Sequence, residues 1–95
     1  MNKTVLVTGA SGGIGSACAR LFADKGYKVA VHCHKNKAAA EEITNELRSK
    51  GCEVFCVCAD LSDEAQVKAM FAEIKSRLGA VEILVNNAGV AQQKL

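Results

Sequence analysis

Thr8-Gly9-Ala10-Ser11-Gly12-Gly13-Ile14-Gly15 follows a short apolar run, Thr4 to Val7, and leads into a pattern where Ile14, Ala17, Cys18, Leu21 and Phe22 recur at helical spacing. A strand, a glycine-rich turn and a helix in this order make the phosphate-binding corner of a βαβ unit that takes a dinucleotide. Glycine lets the backbone turn tightly and approach a pyrophosphate with no Cβ in the way. The N–H groups and positive dipole end of the helix then face the negative charge. By this reasoning a branched side chain at Gly13 would occupy the path of the pyrophosphate. Glycine-rich turns occur in loops of every function, so the flanking strand and helix carry the reading.

Outward from this corner, strand and helix alternate. Val29–Cys33 reads as the second strand; Ala39, Ile43 and Leu47 line the second helix; Cys52–Ala59 reads as the third strand. Ser62 is the expected N-cap of a third helix, with Asp63 and Glu64 in its first turn and Val67, Met70, Phe71, Ile74 and Leu78 on its apolar stripe. Glu82–Asn86 reads as the fourth strand, and Gly26, Gly51 and Gly79 stand where the three helices stop. Such alternation predicts an α/β fold with a doubly wound parallel sheet, Rossmann-like, of strand order 3-2-1-4.

Composition narrows the function. The chain has 95 residues, 49% of them hydrophobic, no proline and a net charge of +2, which fits one small globular unit. Neither a nucleic-acid nor a membrane partner is expected from so small a charge. Three Phe and one Tyr offer no base-stacking platform. No apolar run is as long as a membrane span and the first residues lack the form of a signal peptide, so the expected compartment is the cytoplasm. Five cysteines without framework spacing fit reduced thiols. His32 and His34 share one face of a strand, as do Cys56 and Cys58, but buried parallel strands are apolar on both faces and zinc ligands are usually spaced by loops. No metal site is expected.

The cofactor features lie at the strand ends. An acid roughly twenty residues beyond the glycines often selects NAD. Here no Asp or Glu occurs between Asp24 and Glu41, and strand two runs instead into His32-Cys33-His34-Lys35-Asn36-Lys37. Donors and positive charge there favour NADP(H) over NAD(H), and basic residues at a helix start leave room for a compensating anion. Asp60 ends strand three, where a carboxylate can accept from the amino group of an adenine, or can equally serve as a helix-start acid. Asn86-Asn87-Ala88-Gly89 follows strand four at the edge where open α/β sheets bind ligands.

Together the Thr8–Gly15 turn, Asp60-Leu61 and Asn86–Gly89 resemble the short-chain dehydrogenase/reductase family in its compact single-domain branch. The turn also fits the T-G-x-x-G-x-x-G of the larger epimerase-like branch, and Asn-Asn-Ala-Gly decides for the compact one. The resemblance assigns Gly9, Ser11, Gly12 and Ile14 to the pyrophosphate and adenosine side, and His34, with Lys35, to the 2′-phosphate. Asp60 and Leu61 fall to adenine, and Asn87, Ala88 and Gly89 to the ribose and nicotinamide path. Many NADP-using relatives carry Arg or Lys where this chain has Gly12, which leaves the phosphate to His34, Lys35 and Lys37.

The resemblance further implies a carbonyl reductase using NADPH, most similar to the 3-oxoacyl-[acyl-carrier-protein] reductases, with a homotetramer for the full-length protein. A reductase acting on modified elongation factor P and a non-catalytic dinucleotide-binding module are the alternatives. Family chemistry uses a serine and a Tyr-x-x-x-Lys pair. The only tyrosine here is Tyr27, with Val31 four residues on, so residues 1–95 are expected to be the cofactor-binding N-terminal part of a longer single-domain reductase.

Overall fold

The computed structural model describes residues 3–87. Its elements are β1 (Thr4–Thr8), α1 (Gly13–Asp24), β2 (Lys28–Cys33), α2 (Lys37–Ser49), β3 (Val54–Cys58), α3 (Glu64–Arg77) and β4 (Val81–Asn86). The four strands form one parallel sheet in the order β3-β2-β1-β4, as the alternation predicts. The third strand is shorter than its apolar run, because Cys52 and Glu53 belong to the connection out of α2.

Strand alternation divides the core in two. Val5, Val7, Val29, Val31 and Cys33 face α1 and α2, while Leu6, Ala30 and Val57 face α3 with Met70, Ile74 and Leu78. Strands β1 and β2 lie inside the sheet and are buried almost throughout, which is why they read as continuous apolar runs. Strand β4 is the outer strand here, half-buried and exposed in alternation, with Leu84 on its exposed side.

Two local expectations are corrected. Helix α1 does not bury the stripe of its larger residues. Gly15, Ser16, Ala19 and Ala23 face the sheet, Cys18 and Phe22 flank them, Ala17 is exposed, and Ile14 and Leu21 are 73% and 54% exposed. Small residues four apart let the helix settle close to the strands, so size yields to proximity. The cap of α3 is Asp63 and not Ser62. The Asp63 carboxylate accepts from the N–H of Ala65 and Gln66, and the Gln66 amide donates back to it at 3.1 Å. Ser62 turns instead to Asp60, donating its N–H and hydroxyl to Oδ1 at 2.9 and 2.7 Å.

The other helices follow the sequence closely. Ala40, Ile43, Thr44 and Leu47 form the buried face of α2, with Ala39 half-buried at its edge. Helix α3 buries Met70 and Ile74, Leu78 is buried at its C-cap, and Val67 and Phe71 lie further out. Gly26, Gly51 and Gly79 close the three helices.

Candidate dinucleotide-binding site

The loop between β1 and α1 sits where the strand order reverses, between β2 on one side of β1 and β4 on the other. Its geometry turns on one peptide. Gly9 has φ +63°, a left-handed conformation open to glycine. Its N–H donates to Nδ1 of His32 on β2 at 3.0 Å. Its carbonyl accepts from Nδ2 of Asn87, just after β4, at 3.1 Å, and from the Gly12 N–H at 3.3 Å. The Ala10 N–H donates to the His32 carbonyl at 2.8 Å. Both neighbouring strands therefore hold the same turn.

Gly15 makes this arrangement possible. A Cβ there would press into the Gly9 carbonyl oxygen and lie 2.8 Å from Ala10 Cα and 2.9 Å from Asn87 Nδ2. A Cβ on Gly13 would meet nothing within 4 Å among the described residues, and its φ is not in the left-handed region, so they leave that side of the loop open. The N-cap of α1 is Gly12, which has no side chain to accept from the first-turn N–H groups, and the first turn holds no acidic residue. Among the described residues no side chain caps the positive end of α1.

The sequence-derived residues sort by strand end. Ser11 is half-buried on the loop, Gly12 is exposed, and Ile14 stands exposed at the start of α1. His34 and Lys35 are exposed beyond β2. Asp60 and Leu61 are half-buried beyond β3, where Leu61 packs against the core on the α3 side. The structure brings His34 and Asp60 together, with Nε2 3.9 Å from Oδ2. Two hydrogen bonds from Ser62 hold the Asp60 carboxyl below its usual range, with smaller help from the charges of His34 and Lys35. Lys37 reaches Glu41 at 4.0 Å, and Asn36 caps α2 by accepting from the Ala39 N–H. Ala88 and Gly89 lie outside the described residues.

What sequence reasoning passed over is how His32 and Gly15 shape the loop. Gly15 is a member of the glycine motif. The sequence sets His32 in the basic run after strand two and in a possible metal grouping, and the register disposes of that grouping: His32 pairs with Val57, whereas Cys58 pairs with Cys33, so Cys56 and Cys58 face away from it. Among the described residues no three His, Cys, Asp or Glu side chains cluster as metal ligands. The Cys33 and Cys58 sulfurs are 2.8 Å apart, and burial, together with Cys58 and Cys56, pushes the Cys33 thiol up to about 12. A cleft of about 340 Å³ lined by Arg20, Tyr27, Lys50 and Glu53 opens between the C-terminal ends of α1 and α2, far from these strand ends.

Residues 3–95 match the sequence model described as short chain dehydrogenase. A 3-oxoacyl-[acyl-carrier-protein] reductase, FabG, of Staphylococcus aureus is 43% identical over all 95 residues, which make up 39% of that protein. The oxidoreductase YgfF of Escherichia coli is 48% identical over 85 residues, 90% of this chain and 34% of the relative. The crystal structure of FolM alternative dihydrofolate reductase 1 from Brucella suis, in complex with NADP, superposes with a TM-score of 0.84 at 35% identity, covering 90% of this chain and 34% of that one. The chain thus spans little more than a third of the length of these relatives. Sequence match, strand order and the glycine loop agree: the chain belongs to the short-chain dehydrogenase family.

Proposed function

We propose that residues 1–95 are the dinucleotide-binding N-terminal part of a longer single-domain oxidoreductase that reduces a carbonyl to an alcohol with NADPH. The observation that carries this reading is the Gly9 turn, held from both neighbouring strands below a helix N-terminus that no side chain caps. The loop fits a pyrophosphate: Gly9, Ser11 and Gly12 keep its open side free of large side chains, and Ile14 offers an apolar surface beside it. His34 and Lys35 supply donors for a 2′-phosphate. Asp60 and Leu61 take the adenine edge, and Asn87, Ala88 and Gly89 border the ribose and nicotinamide.

When bound, the nicotinamide supplies the hydride. This chain's residues bind and orient; the proton for the developing alkoxide needs a Tyr-x-x-x-Lys pair from residues beyond Leu95. The FabG relative supports an activity like that of 3-oxoacyl-[acyl-carrier-protein] reductases; a cytoplasmic location and a homotetrameric full-length protein belong to the same proposal. An NADP complex among the structural neighbours, with the absence of acid between Asp24 and Glu41, supports NADP(H) over NAD(H).

Calorimetric titration of the full-length protein tests the cofactor. NADP⁺ is expected to bind more tightly than NAD⁺, and His34→Ala with Lys35→Ala to narrow the difference. Equal affinities in the unaltered protein would refute the role given to the 2′-phosphate. Activity with a 3-oxoacyl thioester and NADPH tests the reaction; a full-length protein that binds the cofactor but turns over no carbonyl would be a binding module.

A further inference from the structure

We infer that His32 is a positioning residue for the glycine loop: its neutral, Nε2-protonated imidazole holds the Gly9 peptide where the dinucleotide needs it, and protonating the ring weakens cofactor binding. The inference rests on the dinucleotide reading of the loop and gives it a pH dependence.

The hydrogen bonds fix the tautomer. Gly9 N–H can only donate, so Nδ1 must accept, and its lone pair must be free. Nε2 lies 2.9 Å from the Ala59 carbonyl, which can only accept, so Nε2 carries the proton. The ring is 1% exposed and both nitrogens are engaged. One side chain thereby ties the end of β1 to the end of β3 across β2. A proton added at Nδ1 would set N–H against N–H, and the loop would have to leave the ring or the ring its pocket.

The surroundings offer that proton little. His32 shares the face of Ala30 and Val57, where α3 presents Met70 and Ile74. The acidic and basic residues of α3, Glu64, Lys68, Glu73, Lys75 and Arg77, are exposed. From β1, Thr8 and the Gly9 peptide approach; on β2 itself, Cys33 faces the opposite side and His34 stands exposed. Beyond β3, Asp60 is engaged by Ser62 and lies near His34. Burial pushes the His32 pKa down, the Ala59 carbonyl draws it up, and His34 adds a further downward push. The sign follows. With the folded pKa depressed, stability from the neutral ring is complete above the unfolded value of about 6.5 and declines as pH falls from there toward the folded value. Cofactor binding needs the neutral ring too, so affinity falls lower on the acid side, where the ring in the folded, cofactor-free protein takes up its proton below that depressed value, by at most about tenfold per pH unit.

The test uses the full-length protein and NADP⁺, which survives acid, titrated calorimetrically from about pH 5 to about pH 8. The readout is the difference between the unaltered protein and His32→Asn. Asn places an acceptor oxygen where Nδ1 stood, the same number of bonds from Cα, and cannot ionise. His32→Asn is expected to bind within a few-fold of the unaltered protein at pH 8 and to lose the His32 part of the acid decline. His32→Leu, which fills the site without an acceptor, is expected to bind at least tenfold more weakly throughout. Imidazole ¹⁵N shifts are expected to show Nδ1 bare and Nε2 protonated, with the Gly9 amide resonance moving as the ring titrates. Tight binding with identical acid limbs in the unaltered protein and His32→Asn, or an Nδ1-protonated ring, overturns the inference and leaves the dinucleotide reading standing. No binding of NADP⁺ at any pH overturns both.

Discussion

Replacing Gly15 by Ala adds one methyl group at the most crowded point of the loop. That Cβ would overlap the Gly9 carbonyl oxygen and sit 2.8 Å from Ala10 Cα, and both are backbone atoms with no rotamer to change. Its third neighbour, Asn87 Nδ2 at 2.9 Å, is the group that holds Gly9 in place. Overpacking of this kind costs about 1–3 kcal/mol. Displacing Asn87 adds about 1 kcal/mol for a lost hydrogen bond. Ala at a helical position recovers about 1 kcal/mol through backbone entropy. The net expectation is a destabilisation of about 1–3 kcal/mol, or about 2–4 °C in melting temperature per kcal/mol for a protein of about 150–250 residues. Binding suffers separately. A displaced turn loses one or two charge-assisted bonds to the pyrophosphate, about 1.5–3 kcal/mol each, so affinity for NADP⁺ drops at least tenfold. Gly13→Val is the control. Among the described residues nothing lies within 4 Å of a Cβ there, so the fold is expected to melt near the unaltered protein while binding is lost to the branched side chain in the pyrophosphate's path. Thermal melts and calorimetry on full-length variants separate the two. A Gly15→Ala protein that melts and binds like the original would refute the close-approach argument.

Two further outcomes follow from side-chain geometry. In α3, Asp63→Ala is expected to cost about 1 kcal/mol in chemical denaturation while Ser62→Ala leaves the helix nearly intact; the reverse ranking would restore Ser62 as the cap. Cys58 is exposed and Cys33 buried with its thiol pushed up to about 12, so a thiol-labelling reagent near neutral pH is expected to modify Cys58 and spare Cys33 until the protein unfolds. Rapid labelling of Cys33 in the folded protein would show that the β2–β3 edge opens.

The strand order was legible because each crossover carried its own punctuation: apolar runs too short for helices, and a glycine at Gly26, Gly51 and Gly79 where each helix had to turn back. Helix orientation was less so. In α1 the eye follows Ile14 and Leu21, yet burial goes to Gly15, Ala19 and Ala23, because how close a helix lies to its sheet is a tertiary property that hydrophobicity does not encode. The glycine loop was visible as a motif, but its fastening was not. That His32 reaches Gly9, and that Asn87 reaches it from the other side, depends on parallel register bringing distant strand ends level. Ser62 and Asp63 are both good caps, and only the turn at Asp60 decides between them.

The two fasteners of the Gly9 peptide also set an order of events. His32 is 23 residues from Gly9 along the chain, and Asn87 is 78. As the chain leaves the ribosome, β1, α1 and β2 can meet, and the His32 contact forms through a short closure. Asn87 emerges more than fifty residues later, and its bond waits on β4 docking beside β1, the longest-range strand pairing in this sheet. A nascent chain that ends before β4 has its glycine loop held by one hand. A glycine loop fastened from both sides is therefore a late property of folding, and β4 is the element whose arrival completes it.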